Sequence, residues 1–173
     1  MSEAGRGPAA ALNTMDEAAA EAALVRCCGA SRWVAAMLAR RPFAGDEALY
    51  AAALAEWAKM ARADVLEAFD HHPRIGADLS RLREKFADTA ALSAGEQAGA
   101  AAASEAELEA LRDANLAYEA RFGHIFIVCA SGKSAAQMLA ILRARMPNDP
   151  QTELRVAAGE QAKITRLRLE TLA

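Results

Sequence analysis

The side chains best suited to chemistry in this 173-residue chain stand in one hexapeptide, His71-His72-Pro73-Arg74-Ile75-Gly76. Two imidazoles sit beside a proline, after an apolar segment and before a glycine. Pro73 fixes its own φ and drives His72 towards extended backbone, which ends a helix at this point. Histidine has the side-chain pKa nearest neutrality, so a rigid turn that presents one is suited to proton transfer. On local grounds alone a plain turn is the simpler reading, and nothing in the hexapeptide chooses between His71 and His72.

Two further charged residues have an ambiguous setting. Glu96 is the fourth residue of Ser93-Ala94-Gly95-Glu96. That is capping-box spacing, in which the carboxylate accepts the backbone N–H of Ser93 and is favoured by the helix N-terminus. Arg168 has Ile164 four residues before it and Leu172 four after, so it falls on an apolar stripe. Arg166 has Glu170 four ahead, the arrangement of a solvated ion pair. An arginine aimed at a core needs an anion, either a buried carboxylate or a ligand, unless its stem simply reaches out to water.

The remaining candidates read as structural. Gly132-Lys133-Ser134 has the end of a phosphate-loop pattern, but the full pattern needs glycine where Ile127 stands, so a turn and helix start is the better account. Cys27 and Cys28 are adjacent, and with Cys129 they have neither zinc spacing nor the look of a disulfide framework. Cys129 reads as a packed thiol, and His124 follows a glycine cap as a surface or supporting residue.

Helices must position these groups. A capping box at Thr14–Glu17 predicts a helix to about Cys28 with Gly29 as its stop; Ser31 caps a second, ended by Pro42, and Asp46 starts a third to about Ala61. Asp64 caps a short segment, Val65 to Phe69, that runs into the histidine turn. Leu79, Leu82 and Phe86 recur at helical spacing. Ser93 opens what reads as the longest helix, to about Arg121 with Gly123 as its cap, and a second Ser-x-x-Glu at Ser104 marks a break or kink. Phe126 to Cys129 is a single short β-like run. A helix with Met138, Leu139 and Leu142 follows Ser134, and Asp149-Pro150 starts a last helix that continues to the C-terminus.

No apolar heptad is sustained and alanine is abundant, so the fold class is all-α: a single-domain compact helical bundle over residues 12–173, preceded by a flexible segment at 1–11. The hydrophobic fraction is 54%, the mean hydropathy is near zero and the net charge is −3. No long basic run invites nucleic acid and no apolar stretch suits a membrane span. With no signal-peptide pattern, a cytoplasmic setting is the expectation.

Taken together, in order, these segments resemble a known family. The motifs are Leu12-Asn13, Cys28-Gly29-x-Ser31-x-Trp33, Arg41-Pro42-Phe43, His72-Pro73-Arg74-Ile75-Gly76 and Ser93-x-x-Glu96-Gln97-x-Gly99. They continue with Tyr118-Glu119-x-Arg121-Phe122-Gly123, Phe126-Ile127-Val128-Cys129-Ala130-x-Gly132-Lys133-Ser134, Met146-Pro147-Asn148 and Lys163-Ile164-x-x-x-Arg168-Leu169. The family is OHCU (2-oxo-4-hydroxy-4-carboxy-5-ureidoimidazoline) decarboxylase of uric-acid degradation.

The resemblance implies an all-helical homodimer that uses no metal or organic cofactor and converts OHCU to (S)-allantoin with loss of carbon dioxide. It implies His72, Glu96 and Arg168 as catalytic, with His71 a bystander, and Gln97 beside Glu96 in the pocket. Pro73 and the backbone of Phe122, His124, Ile125, Phe126 and Ile127 are implied to line the substrate site. Some members read Phe-Pro-Phe where this chain has His124-Ile125-Phe126, a departure at that lining. The readings that compete are a non-catalytic helical interaction domain and a related decarboxylase acting on another ureido acid.

Overall fold

The computed structural model describes residues 5–93 and 104–172. Among the described residues the regular structure is α1 Pro8–Thr14, α2 Glu17–Cys27, α3 Ser31–Ala39, α4 Asp46–Trp57, α5 Arg62–Asp70, a 3₁₀ turn Ile75–Ala77, α6 Leu79–Ser93, α7 Glu105–Phe122, α8 Ala135–Arg145 and α9 Pro150–Glu170. No strand occurs among them, in keeping with the all-α expectation. The chain forms two compact units, Met1–His72 with Ala158–Ala173, and Pro73–Ala157.

The first unit is cored by Leu12, Leu24, Trp33, Met37, Leu49, Phe69 and Leu169. Buried indoles need partners for their N–H groups. Trp33 Nε1 donates to the Ala53 carbonyl at 3.0 Å, and Trp57 Nε1 to the Ala158 carbonyl at 2.9 Å. The second unit packs Leu82, Phe86, Leu111, Tyr118, Phe126 and Leu142 around its own core.

Several starts and stops differ from expectation. α1 starts at Pro8, within the segment 1–11, because Pro8 presets the first turn and the Asp46 side chain accepts the Ala9 N–H at 2.9 Å. Ala9 and Leu12 are buried. Thr14 closes α1, and Asp16 caps α2 instead, accepting from the Ala19 N–H at 2.8 Å. Ser31 is the first residue of α3 and not its cap; its N–H donates 2.9 Å to the Glu67 carboxylate, which caps α3 from α5. Asp64 lies inside α5, where its carboxylate accepts the Ala61 N–H at 2.9 Å. Ser93 ends the described part of α6, whereas Ser104 is a true N-cap with Glu107 completing its box. Gly123 caps α7 as expected, with φ +75°, and the helix start read at Ser134 is that of α8, which the Ser134 side chain caps.

Candidate functional site

In the first unit, α5 ends at Asp70 and delivers the histidine pair. His72 N–H still reaches back to the Phe69 carbonyl at 3.0 Å, so the turn is anchored to the helix. His72 is half-buried, and its Nε2 stands 2.5 Å from Gln161 Oε1. Gln161 is fully buried on α9, and its Nε2 donates 3.1 Å to Thr165 Oγ1 one turn on. The Thr165 hydroxyl in turn is a hydrogen-bond partner of the buried Cys28 thiol.

Electrostatics keep the His72 ring neutral at neutral pH. Burial lowers its pKa most; the Gln161 hydrogen bond opposes this, and the charges of Arg168 and His71 lower it further. Burial also raises Cys27 and Cys28 to about 11, so both remain uncharged thiols.

Arg168 is brought to the same neighbourhood as His72, Cys27 and Cys28. The buried stripe of α9 is Glu153, Ala157, Gln161, Thr165 and Leu169, and Arg168 lies at its margin, half-buried. Its Nη1 donates 3.2 Å to the Arg26 carbonyl, and among the described residues no carboxylate forms an ion pair with it. The guanidinium charge is therefore held in place without being neutralised by a described side chain. Arg166 makes the expected pair with Glu170 at 2.6 Å.

His71 has a defined seat. Its Nδ1 donates 3.0 Å to the Glu67 carbonyl, and its ring lies so near Gly29 that a Cβ there would fall 2.2 Å from His71 Cγ. Gly29 has an ordinary φ, so its smallness serves this close approach and not a left-handed helix stop.

In the second unit, Pro73 is exposed, and together with Arg74, Gly76, Asn115, Ile125 and Phe126 it lines a small cavity of about 30 Å³. Phe122, Phe126 and Ile127 are buried, and so is His124, which packs beside Tyr118 and Phe122. Of the two readings of His124, surface or supporting residue, its burial excludes the first: the Gly123 turn carries it inward.

Phe126 to Cys129 is extended without a sheet neighbour, so side chains satisfy its carbonyls. Arg145 Nη1 donates 2.8 Å to the Ile127 carbonyl, and Lys133 Nζ donates 2.6 Å to that of Cys129. Arg145 is itself fixed by Glu153, fully buried, which accepts from Arg145 Nε at 2.7 Å, the Tyr118 hydroxyl at 2.5 Å and Asn148 Nδ2 at 3.0 Å. Cys129 is only partly buried.

The structure thus brings His72 and Arg168 together, and separately Pro73 with Ile125 and Phe126. Glu96 and Gln97 lie outside the described residues. Gln161 went unnoticed in the sequence, although it precedes Arg168 by two helical turns and a buried amide requires a partner. Among the described residues no group of three His, Cys, Asp or Glu side chains is placed to hold a metal ion, and no helix is long and apolar enough to cross a membrane.

Comparison with known proteins covers nearly the whole chain. The family pattern described as OHCU decarboxylase matches residues 13–170. The uric acid degradation bifunctional protein TTL of Arabidopsis thaliana is 41% identical over 147 residues, 84% of this chain and 45% of that protein. The 2-oxo-4-hydroxy-4-carboxy-5-ureidoimidazoline decarboxylase of Xenopus laevis is 36% identical over 73 residues, 42% of each chain. The matched stretches therefore span less than half the length of either curated relative. A crystal structure of OHCU decarboxylase in the presence of (S)-allantoin is similar with a TM-score of 0.66 at 33% identity, covering 84% of this chain and 92% of that one. The half-buried histidine before Pro73 and the arginine near the end of the last helix stand within a match that runs from residue 13 to residue 170, and by that match the chain belongs to the OHCU decarboxylase family.

Proposed function

We propose that this protein decarboxylates OHCU to (S)-allantoin in uric acid degradation, with His72 as the acid–base group. The observation that carries this reading is a half-buried, neutral His72 with Arg168 beside it, inside a family match over residues 13–170. In OHCU the carboxylate and hydroxyl share one ring carbon, next to a ring carbon whose C=N bond accepts electrons. The C–CO₂ bond breaks, its electron pair forms C=C between the two ring carbons, and the C=N pair moves to nitrogen, which takes a proton. The resulting enol then gains a proton on the neighbouring carbon and loses its hydroxyl proton, becoming the ketone of allantoin; one proton is consumed per carbon dioxide released.

His72 accepts the hydroxyl proton as the ketone forms, which a neutral imidazole can do and a cation cannot. Glu96 orients or polarises His72 or the ring N–H, and Arg168 holds the anionic or carbonyl end of the substrate. Pro73, Gln97, Phe122, His124, Ile125, Phe126 and Ile127 bind substrate, chiefly through backbone. The reading includes action without metal or organic cofactor, a homodimer, a cytoplasmic location and a functional domain spanning 12–173.

The test generates OHCU fresh from urate with the two upstream enzymes and adds this protein. Faster decay with optically active allantoin is the expected result. Background decay to racemic allantoin refutes it and favours a helical interaction domain.

A further inference from the structure

Gln161 belongs to no part of the functional reading so far, yet it makes the closest polar contact to His72 among the described residues. We propose that Gln161 is a positioning residue that fixes the tautomer of His72, placing the ring proton on Nε2 and leaving the lone pair on Nδ1 as the proton acceptor. The tautomer claim stands on geometry alone; its value for catalysis rests on His72 being the acid–base group.

A fully buried primary amide has one accepting oxygen and one donating nitrogen, and here both are engaged. Gln161 Nε2 donates 3.1 Å to Thr165 Oγ1, so Oε1 is the atom that faces the ring, 2.5 Å from His72 Nε2. An amide oxygen cannot donate, hence the hydrogen of that contact belongs to the histidine. In a neutral imidazole a proton on Nε2 leaves Nδ1 unprotonated. Among the described residues Nδ1 has no hydrogen-bond partner, so the lone pair is available to a substrate hydroxyl.

The amide cannot turn over without disturbing a chain of contacts. Thr165 is one turn beyond Gln161 on the buried stripe of α9, and its hydroxyl is in turn engaged with the Cys28 thiol. The relay thus runs from His72 through Gln161 and Thr165 to Cys28, all within the first unit. Around the ring the described charged and titratable groups are Arg168 from α9, His71 from the end of α5 and Cys28 behind Thr165. Burial and the Arg168 charge disfavour protonation of the ring, so the tautomer is the property that Gln161 sets.

The experiment labels the full chain with nitrogen-15 histidine and records ring nitrogen–hydrogen correlations at neutral pH, with His72→Gln identifying the His72 signals. Expected for the native protein is a pyrrole-type Nε2 and a pyridine-type Nδ1. Gln161→Leu shifts both nitrogens towards a tautomer average and lowers kcat with little change in KM. Gln161→Glu, nearly the same shape, keeps the proton on Nε2 and raises the His72 pKa by about one to three units through the new carboxylate. The acid limb of its kcat/KM profile moves up accordingly. A pyridine-type Nε2 in the native protein overturns the proposal, and so do unchanged ring shifts in a folded Gln161→Leu variant or loss of the Nε2 proton in a folded Gln161→Glu variant. The expected ring shifts in a protein that does not turn over OHCU would instead refute the functional reading and leave the role of Gln161 standing.

Discussion

Replacing Glu153 by alanine should remove a large share of the stability of the second unit. Its carboxylate is fully buried and accepts from three donors: Arg145 Nε at 2.7 Å, the Tyr118 hydroxyl at 2.5 Å and Asn148 Nδ2 at 3.0 Å. The Arg145 side chain is only 9% exposed, so losing Glu153 leaves a guanidinium in the interior with the Ile127 carbonyl, at 2.8 Å, as its remaining acceptor among the described residues. Breaking a buried pair in this way costs about 3–5 kcal/mol, a large fraction of the about 5–15 kcal/mol that holds a typical domain together.

Urea unfolding followed by circular dichroism measures it. With a slope of about 2 kcal/mol/M, a loss of about 4 kcal/mol lowers the midpoint by roughly 2 M. Replacing both partners, Arg145→Met with Glu153→Leu, removes the buried charges together and should restore most of the loss, because it is the orphaned charge that destabilises. A single-variant loss under about 1 kcal/mol, or a double variant as weak as the two singles combined, would refute this account. The pH dependence has a definite sign. Burial pushes the Glu153 pKa up, but its bonds from Arg145, Tyr118 and Asn148 outweigh that and leave it below its ordinary 4.5. A depressed carboxyl pKa contributes stability that is present above about pH 4.5 and lost as pH falls through the folded value.

Four further outcomes concern the first unit. His72→Asn should lower the rate of OHCU decay by about 10²–10⁴-fold with helicity unchanged; a near-native rate in a folded variant removes His72 from the mechanism. Because the His72 pKa is depressed below its ordinary 6.5, kcat/KM should stay level at neutral pH and decline only below pH 6.5, and a decline centred above that value contradicts the burial argument. The same depressed value means that the ring's contribution to stability is present above 6.5 and lost as pH falls through the folded pKa. Gly29→Ala sets a methyl against the His71 ring and should lower stability by about 1–3 kcal/mol, read by thermal melting; an unchanged midpoint shows that the ring moves freely aside.

Local sequence signals proved reliable where the interaction they report is itself local. Gly123 at φ +75°, the helix start at Ser134 and the Arg166–Glu170 pair stand as read, while Ser104, read as a break or kink, is the N-cap of α7 with Glu107; each rests on contacts within about one helical turn. The misplaced starts share a different cause. Thr14 has capping-box spacing, but Pro8 and the Asp46 carboxylate, 37 residues from the N–H it accepts, pull Thr14 into an earlier helix. Ser31 likewise yields its capping role to Glu67, 36 residues away. A cap can be supplied from any element that packs nearby, and spacing along the chain carries no record of that.

The same division runs through the site. The proposal that His72, and not merely a turn, matters rests on the ordered match of motifs along the chain, since a histidine before a proline has no local mark of chemistry. Its burial, its neutral ring and the amide that faces Nε2 arise from α9, whose residue 161 lies 89 positions away. The helical class, the short-range caps and the residue types available for proton transfer follow from the chain alone, because helix formation and much of capping are governed by neighbours within a few residues. Packing alone fixed which nitrogen of His72 is engaged, that Arg168 has no ion-pair partner among the described residues, and that Gly29 is small to seat His71. Those properties depend on what packing brings within a hydrogen bond's length and on how much water it excludes, neither of which any spacing in the chain encodes.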